Sequence, residues 1–408
     1  MRYINNNYFI EKVSLQKLAK KFSTPFYCYS YEKIKKNIQN FNSKFGKFSP
    51  LVCFAIKSNT NLNLIREIKN LGLGADVVSK GELMLAIKAG ISPKKIVFSG
   101  VGKTEDELLY AIDKKILLIN SESESEINII EKIAKKKNST VDIGIRLNPN
   151  TDAKTLKQIS TGKKDNKFGV DEKTFIKLVS RLKKSKFLKV KCLSVHIGSQ
   201  ITNHKPYEKM LAAVDKIIDK LKFKFEYVDL GGGMGISYGK KQNKLNYNKY
   251  SNAIEKFKKK HASKIIFEPG RSIIGDTALL VSKIIYLKDN NSKVFVILDA
   301  AMNDMMRPAL YGAEHQILPV KKNKLKSKKN YEFVGPICES TDKFLSSKNF
   351  QKLKEGDLVF LCDVGAYGSS LSSNYNLRPK SPEILINRSK IKVLKKTTKI
   401  REYNLIFD

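Results

Sequence analysis

The sequence contains no tryptophan, and it has only four histidines and five cysteines among 408 residues. The cysteines are odd in number and widely scattered, which indicates neither a disulfide framework nor a CxxC metal site. They are Cys28, Cys53, Cys192, Cys338 and Cys362. No apolar run approaches the ~18 residues of a membrane span, and the first residues lack the layout of a signal peptide. We therefore expect a cytoplasmic protein with reduced thiols, no bound metal and no membrane partner.

Arginine is scarce as well, with nine copies among the 77 basic residues, although the formal net charge is +38. The lysines are spread over every predicted helix, which favours a codon preference over a nucleic-acid footprint, so we expect no nucleic-acid partner. Where lysine is used so freely, a retained arginine suggests bidentate recognition of a carboxylate or phosphate. Four arginines lie in segments with other signs of chemistry: Arg146, Arg271, Arg307 and Arg378.

Eight short apolar or β-branched runs alternate with stretches of helical periodicity between residues 50 and 270. The runs are 51–56, 75–78, 96–99, 116–119, 141–147, 190–197, 227–230 and 265–267. This count and length predict a (β/α)8 TIM barrel of the α/β class, with a doubly wound sheet as the alternative. Polar or glycine-rich residues follow each run, and the carboxyl ends of barrel strands converge on one mouth. Residues as distant as Lys57 and Glu268 would then share a site.

After Arg271 the sequence pattern changes to β-rich runs separated by turns. This pattern predicts a second, all-β domain of β-sandwich or β-barrel type. The run 25–29 reads as a strand that could pair with this later part. We predict a barrel domain over residues 31–275 and a β-domain formed by residues 1–30 plus 276–408.

A phosphate site and a reactive lysine are the chemistry that these residues favour. The loop Gly231–Gly235 follows the seventh run and lets backbone N–H groups approach a phosphate, while Arg271 follows the eighth. Lys57 ends the first run, where a partly desolvated amine is suited to form a Schiff base. Phosphate plus lysine suggests pyridoxal phosphate, with Glu268 keeping the pyridine nitrogen protonated and His196 against the ring face. Taken singly, the same features read as a tight turn, a solvated lysine and a core histidine.

Longer motifs make the chain resemble the diaminopimelate decarboxylase family, of the alanine-racemase-like, fold type III class of pyridoxal phosphate enzymes. The motifs are FAIKSN at 54–59, GADVVSKGE at 74–82, TG at 161–162, KFG at 167–169, HIGSQ at 196–200, GGGMG at 231–235, EPGR at 268–271, DAAMNDMMRPALY at 299–311, GPICESTD at 335–342, GAYG at 365–368 and SNYN at 373–376. The similarity runs from about residue 24 to 380. One departure is Leu156, where many members carry histidine.

The resemblance implies a role for each matching residue. The cofactor-binding set would be Lys57, Asp76, Arg146, His196, Ser199, Gly231, Gly232, Gly233, Glu268, Gly270, Arg271 and Tyr367. Lys57 would hold pyridoxal 5'-phosphate as an internal aldimine. The substrate-binding set would be Arg271, Arg307, Tyr311, Glu339 and Tyr367, and the catalytic residues Lys57, His196 and Cys338. Cys338 would protonate the carbanion, and because the family takes Cys338 and Glu339 from the neighbouring subunit, a homodimer with shared sites is implied.

The implied reaction is decarboxylation of meso-2,6-diaminopimelate to L-lysine and CO2, the last step of lysine biosynthesis. Related arginine, ornithine or carboxynorspermidine decarboxylases share the cofactor motifs and remain alternatives. An amino-acid racemase of this fold should carry arginine in place of Glu268. From another class, a non-catalytic pyridoxal phosphate-binding protein would need only the barrel, and a nucleic-acid-binding role would rest on the charge alone.

Overall fold

The structure, a computed structural model, describes residues 1–239 and 244–397. The strands are β1 Arg2–Ile4, β2 Asn7–Ile10, β3 Val13–Ser14, β4 Phe26–Ser30, β5 Leu51–Ala55, β6 Gly74–Val77, β7 Ile96–Phe98, β8 Leu118–Ser121, β9 Val141–Arg146, β10 Leu188–Ser194, β11 Tyr227–Asp229, β12 Lys264–Phe267, β13 Ala278–Asn290, β14 Lys293–Leu298, β15 Ile317–Pro319, β16 Asn330–Val334, β17 Lys343–Ser347, β18 Leu358–Leu361, β19 Glu383–Asn387 and β20 Lys390–Lys395. The α-helices are α1 Leu15–Lys21, α2 Tyr31–Phe45, α3 Leu62–Asn70, α4 Lys80–Lys88, α5 Glu105–Asp113, α6 Glu124–Lys136, α7 Glu172–Leu182, α8 Lys205–Leu221, α9 Tyr247–Lys260, α10 Arg271–Ile274 and α11 Arg307–Tyr311.

The described chain divides into two compact units. The barrel unit comprises residues 38–236 and 244–272, and the β-rich unit comprises residues 1–37, 237–239 and 273–397. The boundaries that we predict from the sequence, 31–275 and 1–30 plus 276–408, stay a prediction. Residues 240–243 and 398–408 of those ranges lie outside the described residues.

Strands β5 to β12 form a closed parallel barrel in chain order. The closing pair is β12 with β5, in which Ile266 lies opposite Leu51. The eight predicted runs are therefore confirmed as one barrel, and the doubly wound alternative is wrong because an open sheet would leave β5 and β12 unpaired. Inside the barrel, side chains from several strands pack as one apolar cluster: Cys53, Val97, Leu118, Cys192 and Ile266.

Local sequence explains where the barrel helices begin. In six of them a short polar side chain just before the first turn accepts a backbone N–H of that turn: Asn61, Ser79, Thr104, Ser123, Asp171 and Asn246. Such N-caps satisfy donors that have no partner within the helix. Each cap lies at the end of the segment that follows a strand, so the helix starts close to the barrel mouth.

The β-rich unit is built around a mixed sheet in the order β17-β16-β14-β13-β4-β19-β20, with β18 also pairing with β13 and β15. Strand β4 confirms the predicted pairing of the run 25–29, because it joins β13 antiparallel and β19 parallel. A small sheet, β1-β2-β3, and helix α1 place apolar side chains such as Ile10 and Leu15 on the same core as Phe26 and Phe360. Strands β15 and β17 are short or half-exposed, and their apolar pattern is too weak to predict.

Candidate active site

Lys57 and Asp76 form an ion pair at the carboxyl ends of neighbouring strands. Lys57 lies in a 3-10 turn, Ile56–Ser58, that directly follows β5, and Asp76 is the third residue of β6. Lysine Nζ lies 2.6 Å from Asp76 Oδ2, and the aspartate side chain is fully buried while the lysine side chain is 37% exposed. The pair therefore fixes the lysine amine at the mouth while leaving it accessible to a ligand.

Glu268 follows β12 and forms a hydrogen bond with Asp229, the last residue of β11. Burial raises the pKa of the Glu268 carboxyl well above its ordinary value, the charges of Asp229 and Asp76 raise it further, and Lys57 opposes the rise. Burial also raises the pKa of Asp229, although the hydrogen bonds from Glu268, Gly231 and Asn120 oppose that rise. Two adjacent buried carboxyls cannot both ionise easily, because each charge disfavours the other.

Side chains from β7 and β8 complete this group across the barrel interior. The amide of Asn120 donates to Asp229 Oδ2 at 2.9 Å and to Ser99 Oγ at 3.2 Å. Ser99 Oγ in turn donates to Glu268 Oε1 at 3.1 Å. The result is a closed ring of polar contacts just below the mouth, contributed by four different strands or their ends, which we call the carboxyl ring (Ser99, Asn120, Asp229 and Glu268).

His196 lies two residues after the end of β10, and its environment keeps the imidazole neutral. Burial lowers its pKa well below the ordinary value, and the positive charges of Arg146 and Lys57 lower it further. The Gly232 N–H donates to His196 Nδ1 at 3.1 Å, so the ring proton lies on Nε2. Arg146, at the end of β9, pairs with Glu122 at 2.7 Å and is buried with it.

The loop Gly231–Gly235 follows β11 and is packed tightly, and three of its N–H groups donate within the protein: Gly231 to Asp229, Gly232 to His196 and Gly235 to the Ile201 carbonyl oxygen. A Cβ at Gly232 would lie 2.1 Å from the Glu268 carbonyl oxygen, so only glycine fits there. Arg271, a buried residue at the start of α10, donates from Nη2 to Ser199 Oγ at 3.2 Å. A hydroxyl and a guanidinium are donors that suit a phosphate, so Ser199 and Arg271 fit the phosphate of the expected cofactor. Gly270 lies between Glu268 and Arg271 in the same segment.

In the β-rich unit, Arg307 is buried at the start of α11 and is held from two sides. His315 Nδ1 lies 2.8 Å from the Cys362 carbonyl oxygen, which only a protonated nitrogen can contact, so Nδ1 donates. His315 Nε2 is then left to accept from Arg307 Nη1 at 2.8 Å. The guanidinium also lies over the Tyr238 ring, 4.7 Å from its centroid. These contacts give the arginine one fixed orientation.

The other predicted substrate residues lie in the same β-rich unit. Tyr311 is the last residue of α11, and Cys338 and Glu339 are exposed between β16 and β17. The hydroxyl of Tyr375 donates to Glu339 Oε1 at 2.5 Å, and the hydroxyl of Thr341 donates to Oε2 at 3.0 Å. Tyr367 has a φ of 57°, a left-handed conformation that costs energy for a bulky side chain and often marks a functional position.

Sequence reasoning assigned no function to Asp229, Ser99 or the buried ion pair of Lys103 with Glu126, and it placed Asn120 at the barrel mouth without a role. Lys103 Nζ lies 2.7 Å from Glu126 and also donates to the carbonyl oxygens of Gly100 and Asn120, at the ends of β7 and β8. The sequence feature that could have identified them is a polar residue inside or at the end of an apolar run, as in YVD at 227–229. Leu156, where the resemblance departs, is 47% exposed, and its neighbour Thr155 donates to the Ser199 carbonyl oxygen.

One cluster away from the barrel mouth brings together possible metal ligands. Ligand atoms of Asp215, Asp219 and His261 lie within 4.8 Å of one another. Both oxygens of Asp215 already accept hydrogen bonds, one from Lys260 and one from His261. A metal ion would have to displace these contacts, and we assign none.

Within residues 1–239 and 244–397, no helix is both long and apolar enough to cross a membrane. All five cysteines lie within the described residues and are free. Burial raises the pKa of the Cys28, Cys53, Cys192 and Cys362 thiols above the ordinary range. A buried thiol with a raised pKa is a poor nucleophile, so these four are structural.

Comparison with known proteins gives a consistent result. Residues 31–275 match the family described as pyridoxal-dependent decarboxylase, pyridoxal binding domain. The diaminopimelate decarboxylase of Aquifex aeolicus is 39% identical over 399 residues, which cover 97% of this chain and 94% of the relative. That of Helicobacter pylori is 41% identical over 384 residues, which cover 93% and 95%. A crystal structure of diaminopimelate decarboxylase from Helicobacter pylori complexed with L-lysine has a TM-score of 0.92 at 40% identity and covers 96% of this chain and 99% of that chain.

Proposed function

This chain belongs to the diaminopimelate decarboxylase family of pyridoxal-dependent decarboxylases, and on that premise we propose that it converts meso-2,6-diaminopimelate to L-lysine and CO2, the last step of lysine biosynthesis. The observation that carries the proposal is the grouping of Lys57, Glu268 and the Gly231–Gly235 loop at one end of the barrel. The expected cofactor is pyridoxal 5'-phosphate, whose ring, when bound, accepts the electron pair released as the bond between Cα and the carboxylate breaks.

The barrel residues would hold this cofactor at four points. Lys57 would hold its aldehyde carbon, the Gly231–Gly235 loop with Ser199 and Arg271 would hold the phosphate, and Glu268 would contact the ring nitrogen. The neutral imidazole of His196 would contact the ring without adding a positive charge. A positive charge there would oppose protonation of the ring nitrogen. Asp76 supports the role of Lys57 because its ion pair restricts where the amine can lie.

The β-rich unit would supply substrate recognition. Arg307 and Tyr311, together with Arg271 of the barrel unit, would grip the carboxylate at the end of the substrate that does not react. Glu339 would bind the distant ammonium group, and its pKa is lowered by the hydrogen bonds from Tyr375 and Thr341, so it is ionised at neutral pH. Tyr367 would contact both cofactor and substrate, and the Cys338 thiol would deliver the proton to Cα after CO2 leaves.

A homodimer with shared sites is part of the proposal, with Cys338 and Glu339 acting in the partner's site. Their exposure in one chain supports it, as do the exposed apolar side chains of Tyr375 and Leu377 in the segment that contacts Glu339. We also retain residues 31–275 as the cofactor domain, residues 1–30 plus 276–408 as the domain for substrate and dimer contacts, and the cytoplasm as the location.

The decisive experiment measures lysine and CO2 release from meso-diaminopimelate by the purified protein loaded with pyridoxal phosphate. Arginine, ornithine and carboxynorspermidine are offered in parallel at the same concentration. We expect turnover of meso-diaminopimelate only. Faster turnover of any of the other three would replace the proposed substrate, and no release from any of them would overturn the decarboxylase assignment.

A further inference from the structure

We infer that Asp229 is a positioning residue for the ring nitrogen: it shares one proton with Glu268 inside the barrel, and this proton is the one that Glu268 delivers to the pyridine. The inference rests on the proposed function, because the expected cofactor brings a ring nitrogen to Glu268. It assigns a task to a carboxyl that contacts neither substrate nor cofactor in the reaction outlined above.

The hydrogen-bond geometry decides which carboxyl carries the proton. Asp229 accepts from the Gly231 N–H at 2.9 Å through Oδ1 and from the Asn120 amide at 2.9 Å through Oδ2. Hydrogen bonds to the charged form favour ionisation, so Asp229 is the carboxylate of the pair. Glu268 accepts from the Ser99 hydroxyl, and its raised pKa and its hydrogen bond with Asp229 make it the member that carries the proton.

Asn120 is the group that holds this arrangement. It comes from β8, whereas Asp229 comes from β11, so its amide spans the barrel interior. The backbone of β9 makes room for it at Gly144, where a Cβ would lie 2.1 Å from Asn120 Oδ1. With the amide fixed in this way, Asp229 cannot turn away from Glu268 without leaving buried donors unpaired, which costs about 1–3 kcal/mol for each one.

Other charged and titratable groups face the pair from the surrounding strands. Asp76 on β6 raises the proton affinity of both carboxyls, and Lys57 after β5 lowers that of Glu268. The Cys53 and Cys192 thiols and the Tyr250 hydroxyl also feel the charge of Asp229, and each has its pKa raised, chiefly by burial, so all three stay neutral. Within this neighbourhood, Asp229 and Glu268 are the two carboxyls that share a proton.

The consequence concerns the proton on the bound ring. When a pyridine nitrogen lies against Glu268, the shared proton would pass from the Glu268 oxygen to that nitrogen and leave Glu268 as a carboxylate. The number of bound protons does not change, because the O–H bond of Glu268 is replaced by an N–H bond. The negative charge of Asp229 behind Glu268 then favours the cationic ring by the same electrostatic effect that raised the proton affinity of Glu268.

The test replaces Asp229 by asparagine and follows the ring nitrogen directly. Protein loaded with 15N-labelled pyridoxal phosphate, without substrate, is titrated with base, and the 15N chemical shift reports whether the nitrogen is protonated. We expect the nitrogen to be protonated at neutral pH in the wild type. In Asp229→Asn it should deprotonate at a pH lower by about 1 to 3 units, the range that one neighbouring buried charge produces.

Asp304→Asn is the matched control, because Asp304 is a buried aspartate of the β-rich unit that accepts from Ala301 N–H and Ser381 Oγ. It should leave the ring titration unchanged.

Asn120→Ala should shift the titration in the same direction as Asp229→Asn but less, since Asp229 loses one donor and is more easily protonated. An unshifted titration in Asp229→Asn, or an unprotonated ring nitrogen in the wild type at neutral pH, would overturn the inference.

A measurement on the wild type keeps the inference testable if a variant fails to fold. Infrared difference spectra of the unliganded protein before and after cofactor addition should show the loss of one protonated carboxyl C=O stretch, absent in Glu268→Gln. A spectrum without that loss contradicts the shared proton. Lysine release by the wild type tests the proposed function separately. If the protein shows the expected ring titration but releases no lysine, the inference about Asp229 stands and the proposed substrate is wrong.

Discussion

At the scale of single residues, the candidate site depends on titratable groups whose protonation and position are set by burial and by their partners. Lys57 is paired with Asp76 and Arg146 with Glu122, while burial beside Asp229 raises the pKa of Glu268. Each group has a partner on a neighbouring element, so the loss of one side chain leaves a buried charge or donor without compensation. Substitutions at this scale should therefore change a defined property of the site.

Substitution of Lys57 tests the covalent attachment of the cofactor. We expect Lys57→Ala to bind pyridoxal phosphate only reversibly and to lose measurable turnover, because the residual protein has no amine at this position. Borohydride reduction followed by peptide mass spectrometry should locate the cofactor on Lys57 in the wild type. Lys132→Ala, at a lysine exposed on α6, is the control and should behave as the wild type. Full turnover by Lys57→Ala would remove the assignment.

His315 should control the grip of Arg307 on the substrate carboxylate. His315→Phe removes the acceptor for Arg307 Nη1, and a lost hydrogen bond to a charged group costs about 1.5–3 kcal/mol. We expect KM for meso-diaminopimelate to rise about tenfold or more with a smaller change in kcat. His315→Gln keeps an acceptor and should recover most of the affinity.

Ligand binding separates this effect from a general loss of structure. L-lysine carries the carboxylate that Arg307 would grip, whereas cadaverine lacks it. His315→Phe should weaken lysine binding and leave cadaverine binding unchanged. Equal losses for both ligands, or equal behaviour of the Phe and Gln variants, would contradict the positioning role.

At the scale of elements, strand β9 has a glycine where an apolar residue would normally be preferred. A glycine in the middle of a strand costs stability, since it packs no side chain and has more freedom to lose. Position 144 requires glycine because the Asn120 side chain from β8 occupies the space that a Cβ would fill. Two adjacent strands are therefore matched to each other by the polar side chain that supports the carboxyl ring.

Gly144→Ala tests this match. The added methyl group would displace Asn120 or the β9 backbone, and we expect a loss of about 1–3 kcal/mol in the free energy of unfolding, as for other overpacked cores. Denaturant unfolding monitored by circular dichroism measures it. Gly102→Ala is the control, because nothing lies within 4 Å of the Cβ that it would add. Similar losses in both variants would show that glycine flexibility, and not the space for Asn120, explains Gly144.

At the scale of the whole molecule, positive charge is the dominant feature. There are 77 basic and 39 acidic side chains, so 38 positive charges remain even if every acid is paired. Many acids do take part in surface pairs, such as Lys137 with Asp113 and Lys329 with Asp289. Exposed pairs of this kind contribute about 0–1 kcal/mol each, so repulsion among the remaining lysines should outweigh them.

The melting temperature should therefore rise with ionic strength. Added salt screens repulsion over distances beyond the Debye length, which is about 10 Å at 0.1 M. Scanning calorimetry from low salt to physiological sodium chloride measures the change. Potassium chloride at the same ionic strength should act alike, since screening does not depend on which cation is used. A melting temperature that falls with salt would show that the surface ion pairs dominate instead.

The sequence by itself determined the barrel, because apolar runs and helical periodicity are local signals that survive without tertiary context. Lys57, Glu268, the Gly231–Gly235 loop and the β4 strand were all found in this way. Only the tertiary structure decided the partners: Asp229 with Glu268, Asn120 opposite Gly144, and His315 with Arg307. The physical reason is that these partners lie on different strands or on either side of an irregular segment, so no periodicity along the sequence records which polar side chains will meet once the strands pair.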